Sequence, residues 1–346
     1  MRLRALLKIL PRRVTRGGAI TAALVVVAVI AATAVPAGQT KTSQNGQTGS
    51  IPRMASGHPD LQGVWNFSTL TPLERPAEFA GKAVFSEKEA ADYERSLLGA
   101  LDHDTREGAE RACKGTGNYN EFWYDRGSSV VKTRRTSLIV DPPDGKIPAL
   151  TPEGIKQRDM RAAVRKSRGP SDSWVDRGLG ERCMIGFNAG PPMMPSAYNN
   201  NFQLFQTADY VVIHTEMVHE SRIVPLDNRP RLNPAVRQWL GSSRGHWDGD
   251  TLVVETRNFT DKTSFRGASD KLTLVERFKR TSPDTLLYEF TIDDPTTFTK
   301  SWTAQVPMTK MPTPLFEYAC HEGNYGLEAI LAGARAEEKA AASKKR

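Results

Sequence analysis

The sequence predicts a mainly β domain, an antiparallel meander closing into a barrel, with a β-sandwich as the alternative. Three observations carry this. Runs rich in Val, Ile, Thr, Phe and Tyr recur at 202–207, 210–218, 221–226, 251–259, 272–281, 285–293 and 298–306. Such residues suit a pleated, half-buried surface. Most runs are separated by short turns such as Asp248-Gly249-Asp250 and Ser282-Pro283-Asp284. Helical spacing is confined largely to the N-terminal half. A meander this long must curl or fold over to protect its edges.

Residues 1–37 read as a signal peptide or signal-anchor. Arg2, Arg4, Lys8, Arg12, Arg13 and Arg16 precede 17 uncharged residues, 19–35. Ala32-Thr33-Ala34 and Val35-Pro36-Ala37 offer small-residue cleavage points. The expected location is periplasmic or secreted, with the membrane touched only through this segment if it stays uncleaved. Six of the 47 basic residues lie there, and the other 41 face 39 acidic ones, a net charge of +2. The basic balance is thus a targeting feature, and nucleic acid is not an expected partner.

Residues 38–58, rich in Gln, Thr, Ser and Gly, read as a flexible linker. A single β-rich domain is expected over 59–327, with a helical and loop subregion, 59–170, packed on it. Ser86 with Glu89 forms a capping box for a helix over 85–101. Residues 115–127, GTGNYNEFWYDRG, form an aromatic loop, and 136–140 a short strand. Thr151 before Pro152 caps a helix to about residue 166, and 234–240 also looks helical. A charged tail, 328–346, completes the chain.

The opening Gly63-Val64-Trp65 is similar to the start of lipocalins, which favours a lipocalin/calycin-like barrel. Strand alternation then assigns faces. His219 falls on the apolar face of the run at 210–218. Glu276 shares a face with Leu272, Leu274 and Phe278; Tyr288 with Leu286, Phe290 and Ile292; Lys300 with Phe298, Trp302 and Ala304. A lone buried charge is costly, so these residues imply a wet, working interior. The same residues could equally form a satisfied internal polar cluster.

The acid–base reading places His219 or Glu276 as base or acid, Tyr288 as electrophilic donor and His321 as a further candidate. Phe122, Trp123, Tyr124, Lys300 and Trp302 would line the ligand's walls, although clustered aromatics also serve as core. The partner would be a small organic molecule. Metal and cofactor are not expected. Glu216 and His219 would point apart on an extended chain, and HExxH, CxxC, P-loop and dinucleotide motifs are absent. Gly241-Ser242-Ser243-Arg244-Gly245 matches G-x-S-x-G without the strand–turn–helix context a nucleophile needs.

The three cysteines, Cys113, Cys183 and Cys320, imply one disulfide and one odd thiol in an exported protein. Spacing does not choose the pairing; Cys183 with Cys320 is the expected one. In an extended chain Cys320 and Glu322 point one way and His321 the other, so Cys-His-Glu at 320–322 is no compact triad.

RTSLIVDPPDGKIPALTPEG (135–154), GHWDGDTLVVETRNFTDKTSFRG (245–267) and EYACHEGNYG (317–326) resemble a family of exported proteins of environmental bacteria. That resemblance implies export and a β-rich domain; it supplies no reaction and no catalytic residue. The function expected from the residues is a cofactor-independent hydrolase, lyase or isomerase acting in a β-barrel pocket. The alternative is a non-catalytic, lipocalin-like binder of an apolar or aromatic ligand.

Overall fold

A computed structural model of the protein describes residues 50–102, 104, 120–263 and 265–344. Residues 1–37, most of the expected linker and Cys113 lie outside them. The fold is mainly β. Ten strands form one antiparallel sheet: β1 (Gly63–Asn66), β2 (Ile139–Asp141), β3 (Asn201–Gln206), β4 (Tyr210–Thr215), β5 (Ser221–Pro225), β6 (Ser242–Asp248), β7 (Thr251–Arg257), β8 (Thr273–Ser282), β9 (Thr285–Asp293) and β10 (Trp302–Met311). Three α-helices stand among the described residues: α1 (Glu87–Leu101), α2 (Pro152–Ser167) and α3 (Gly326–Lys344). None is long and apolar enough to cross a membrane.

The strand order is β5-β4-β3-β1-β10-β9-β8-β7-β6, with β2 added to β10. The short strand β1 joins the two halves, pairing with β3 and β10. Its Trp65 is fully buried and donates its indole N–H to the Leu61 carbonyl at 2.9 Å. Along β8, β9 and β10 the predicted faces hold. Leu274, Phe278, Leu286, Phe290, Ile292, Trp302, Ala304 and Val306 are all fully buried. Burial of each large apolar side chain contributes about 1.5–3 kcal/mol.

The expected barrel is not closed. Every neighbour on the nine-strand path is antiparallel, so the end strands β5 and β6 point the same way. They come within 8 Å, Cα to Cα, but no ladder joins them. Gly245 on β6 permits this approach: a Cβ there would lie 2.9 Å from Val224 Cγ1 and 2.7 Å from Leu226 Cδ2. A sheet folded over as a β-sandwich, the stated alternative, fits this open path. The strand β6 was not expected, and 234–240 forms turns instead of the expected helix.

The helices follow their caps. Ser86 Oγ accepts from the Glu89 amide, and the Glu89 carboxylate accepts from the Ser86 amide, completing the capping box. Helix α1 packs Ala90, Tyr93, Leu97 and Leu98 against Phe79, Phe85, Leu70 and Val130, a small second core. Thr151 caps α2 through the Gly154 amide at 3.0 Å. Residues 50–58, the described end of the linker, lie on the domain. Arg53 pairs with Asp250 at 2.7 Å, and His58 stacks on Trp247 at 4.4 Å.

Two inner-face assignments are corrected. The run at 210–218 leaves the strand after Thr215 and turns through Met217–His219, where Val218 (φ 62°) and His219 (φ 45°) are left-handed. His219 is therefore exposed. The last run begins only at Trp302; residues 299–300 bend, and Lys300 points to solvent.

Candidate functional site

Residues 178–198 hold no strand and, beyond short turns, no helix. Gly178, Gly180, Gly186 and Gly190, with Pro191, Pro192 and Pro195, break every regular pattern. Side-chain amides fix the segment instead. Asn188 Nδ2 donates to the carbonyls of Tyr198 and Asn199, each at 3.0 Å. Asn200 Oδ1 accepts from the Ser196 amide at 2.8 Å, and its Nδ2 donates to the Ser196 carbonyl at 2.9 Å. The Cys183–Cys320 disulfide, with Cα atoms 5.7 Å apart, ties the segment to the C-terminal stretch. This is the expected pairing.

Against this segment opens a cleft of about 600 Å³. Leu179, Ile185, Phe187, Pro191, Met194, Met217, Val218 and Phe265 form apolar walls, and Tyr198, Tyr318, Thr263 and Glu181 add polar groups. Met217 packs so tightly on Gly186 that a Cβ there would lie 2.1 Å from Met217 Cγ. Val218 is 3 % exposed, a β-branched residue held in the left-handed region. Such backbone costs about 1–3 kcal/mol and persists only where packing over-determines it. Here Cys183, Ala189 and Met217 pack around it.

Glu181 is the carboxylate on the wall. Burial pushes its pKa up, but Arg177 and the Gly178 amide at 2.9 Å outweigh this and hold it low. It stays ionised, so it is not a proton donor near neutral pH.

A buried polar chain anchors the cleft to the core. The Met193 amide donates to the Tyr288 hydroxyl at 3.2 Å, and Tyr288 donates to Glu276 Oε1 at 2.8 Å. Arg222 closes the chain with a bidentate pair, Nη2 to Oε1 at 2.9 Å and Nη1 to Oε2. Burial and then the Glu276 charge push the Tyr288 pKa well above its usual value, so the phenol stays protonated. Burial opposes the Arg222 charge, but Glu276 more than compensates and raises its pKa.

The structure does not assemble the expected acid–base site. Glu276 is fully buried on Arg222 and Tyr288, not in a wet interior. His219 and His321 face each other at 6.1 Å between ring centres, both exposed, and neither lines the cleft. Phe122 (85 % exposed) and Trp123 (64 %) touch each other edge-on at the surface, and Tyr124 lies under Arg126 at 3.9 Å. None of the three lines the cleft. Trp302 is core, separated from the cleft by the Phe265 ring stacked on it at 6.1 Å. Ser243 sits within β6, its hydroxyl 2.8 Å from Thr256 Oγ1. Among the described residues no three His, Cys, Asp or Glu side chains are grouped to hold a metal ion. The available signal for the cleft was the density of glycine, proline and methionine at 186–195.

Comparison of the chain with protein-family models, with curated proteins and with solved structures finds no match.

Proposed function

We propose that this protein is an exported binding protein that holds a small apolar or aromatic molecule in the cleft beside residues 178–198. The observation that carries this is the cleft itself. Its volume, about 600 Å³, falls within the roughly 300–1,000 Å³ typical of small-molecule sites, and its walls are mainly apolar with a few polar groups. The sheet interior offers no such space, being filled by Trp65, Phe202, Phe278, Tyr288 and Trp302. This favours the binding reading over acid–base catalysis in a barrel interior.

Periplasmic or secreted residence is part of the same reading. The Cys183–Cys320 disulfide, the signal-like residues 1–37 and the resemblance to exported bacterial proteins support it. A barrel-derived, lipocalin-like architecture draws support from the approach of β5 to β6.

The test is titration with the neutral fluorophore N-phenyl-1-naphthylamine. One saturable site with micromolar Kd is expected. Gly180, on the cleft wall, has only ordinary contacts around a built Cβ, the nearest at 3.7 Å. Gly180→Leu should therefore fold and weaken binding at least ~10-fold, about 1.4 kcal/mol. Trp123→Ala should leave it unchanged. Absence of saturation, or indifference to Gly180→Leu, rejects the assignment.

A further inference from the structure

Three arginines among the described residues are at most 8 % exposed: Arg75, Arg222 and Arg280. A guanidinium cannot shed its proton, so each must be neutralised or solvated by the chain. Arg222 has the Glu276 carboxylate. Arg280 donates to the carbonyls of Asp60, Ser282 and Pro283, lies 5.5 Å from the Trp65 ring and feels the charges of Asp60 and Asp284.

Arg75 differs. Its Nε donates to Thr136 Oγ1 at 2.9 Å and its Nη2 to the Pro143 carbonyl at 3.0 Å. Among the described residues, the other three of its five donors have no protein partner, and no carboxylate pairs with it. Its charged neighbour is a second cation. Arg135 is half-buried; its Nη2 reaches the Ile139 carbonyl at 3.4 Å, and its Nε is buried without a partner. Burial, then the charge of Arg75, lowers the Arg135 pKa. Arg134, the residue before Arg135, pairs with Glu87 at 3.0 Å.

Both guanidinium groups attach to one short stretch, Arg75 to Thr136 and Arg135 to the Ile139 carbonyl. A Cβ built on Gly145 (φ +70°) would lie 3.2 Å from Arg75 Nη2 and 2.4 Å from Ser137 Oγ. That hydroxyl donates at 2.9 Å to the Ile139 carbonyl, the acceptor Arg135 also uses. Two guanidinium groups attached to one short buried stretch, with donors left over, are the arrangement an oxyanion completes. None of these residues lines the apolar cleft.

We propose that Arg75 and Arg135, with the loop 141–146, form a binding site for a small oxyanion, a carboxylate or phosphate group, approached from the half-buried side of Arg135. The guanidinium fork matches either group. The site lies within 135–154, the segment RTSLIVDPPDGKIPALTPEG, which the cleft leaves unexplained.

The test is thermal unfolding of the full chain in sodium chloride, phosphate or acetate at equal ionic strength. A saturable rise in Tm over chloride is expected with phosphate or acetate, about 5 °C at 100 times Kd. A rise with phosphate alone assigns a tetrahedral oxyanion, and one with acetate assigns a carboxylate. Arg135→Gln should abolish the rise, and Arg277→Gln, at an exposed ion pair, should keep it. Should Arg135→Gln fail to fold, Arg135→Lys keeps the charge without the fork and should bind about 10-fold more weakly. In the wild type, the Nε–H resonances of Arg75 and Arg135 should move with the anion. Equal Tm in all three salts, a rise that survives Arg135→Gln, or stationary Nε–H resonances overturn the proposal.

Discussion

Replacing Glu276 by Gln changes one atom's chemistry and almost no volume, which makes it the sharpest probe of the buried chain. In the native protein the carboxylate neutralises Arg222, whose side chain is 9 % exposed, and accepts from Tyr288. The amide can still accept from Tyr288, but its NH₂ meets the guanidinium donor to donor. Arg222 stays charged, because its pKa lies far above any working pH. Removing one partner of a buried pair costs about 3–5 kcal/mol. That is a large fraction of the 5–15 kcal/mol that roughly bounds a domain's stability. The assay is urea unfolding under oxidising conditions, with the slope checked against the wild type. Adding Arg222→Met to Glu276→Gln removes the stranded charge, and the deficit should shrink to about 1–2 kcal/mol, the range of lost neutral hydrogen bonds. A double variant as unstable as the single one would refute the argument, as would a Glu276→Gln variant within 1 kcal/mol of wild type.

Cys320→Ser opens a loop with a sequence separation of 137 residues, for which chain entropy gives an upper figure of about 5 kcal/mol. Unfolding should report a loss up to that size, and fluorophore affinity should fall because Tyr318, a cleft wall, loses its tether. Gly186→Ala drives a Cβ into Met217 and should destabilise by about 1–3 kcal/mol, with a changed fluorophore Kd measured in parallel. The Glu89 carboxyl is held at about 2 by its hydrogen bond to Lys82, then by Ser86. Its contribution is present above the unfolded value near 4.5 and is lost as pH falls toward 2. Glu89→Gln should flatten that part of a Tm–pH profile.

Much of the sheet was legible because a period of two is hard to counterfeit. The alternation in β8, β9 and β10 placed Leu274, Tyr288, Phe290 and Val306 on the correct face, and Ser86 with Glu89 announced α1. The strand β6 was hidden because Ser242, Ser243 and Gly245 carry little apolar signal; its glycine serves the approach of β5. His219 was misplaced because Val218 and His219 turn left-handed without a glycine to mark the turn. Glu276 was placed on the right face, and its ion pair fits the internal polar cluster of the two readings; sequence could not choose between them, since the partner Arg222 is 54 residues away and no local pattern pairs them. The cleft comes from aperiodic chain at 178–198 and from a disulfide, neither of which leaves a regular trace.

The unjoined β5–β6 seam shifts the work of holding the two end strands from backbone to side chains. No ladder crosses it. Val224 and Leu226 lie against Gly245, and Arg222 on β5 reaches past the seam to Glu276 on β8. Because Glu276 also accepts from Tyr288, and the Tyr288 hydroxyl accepts from the Met193 amide, one buried chain of hydrogen bonds links an end strand to the segment that borders the cleft.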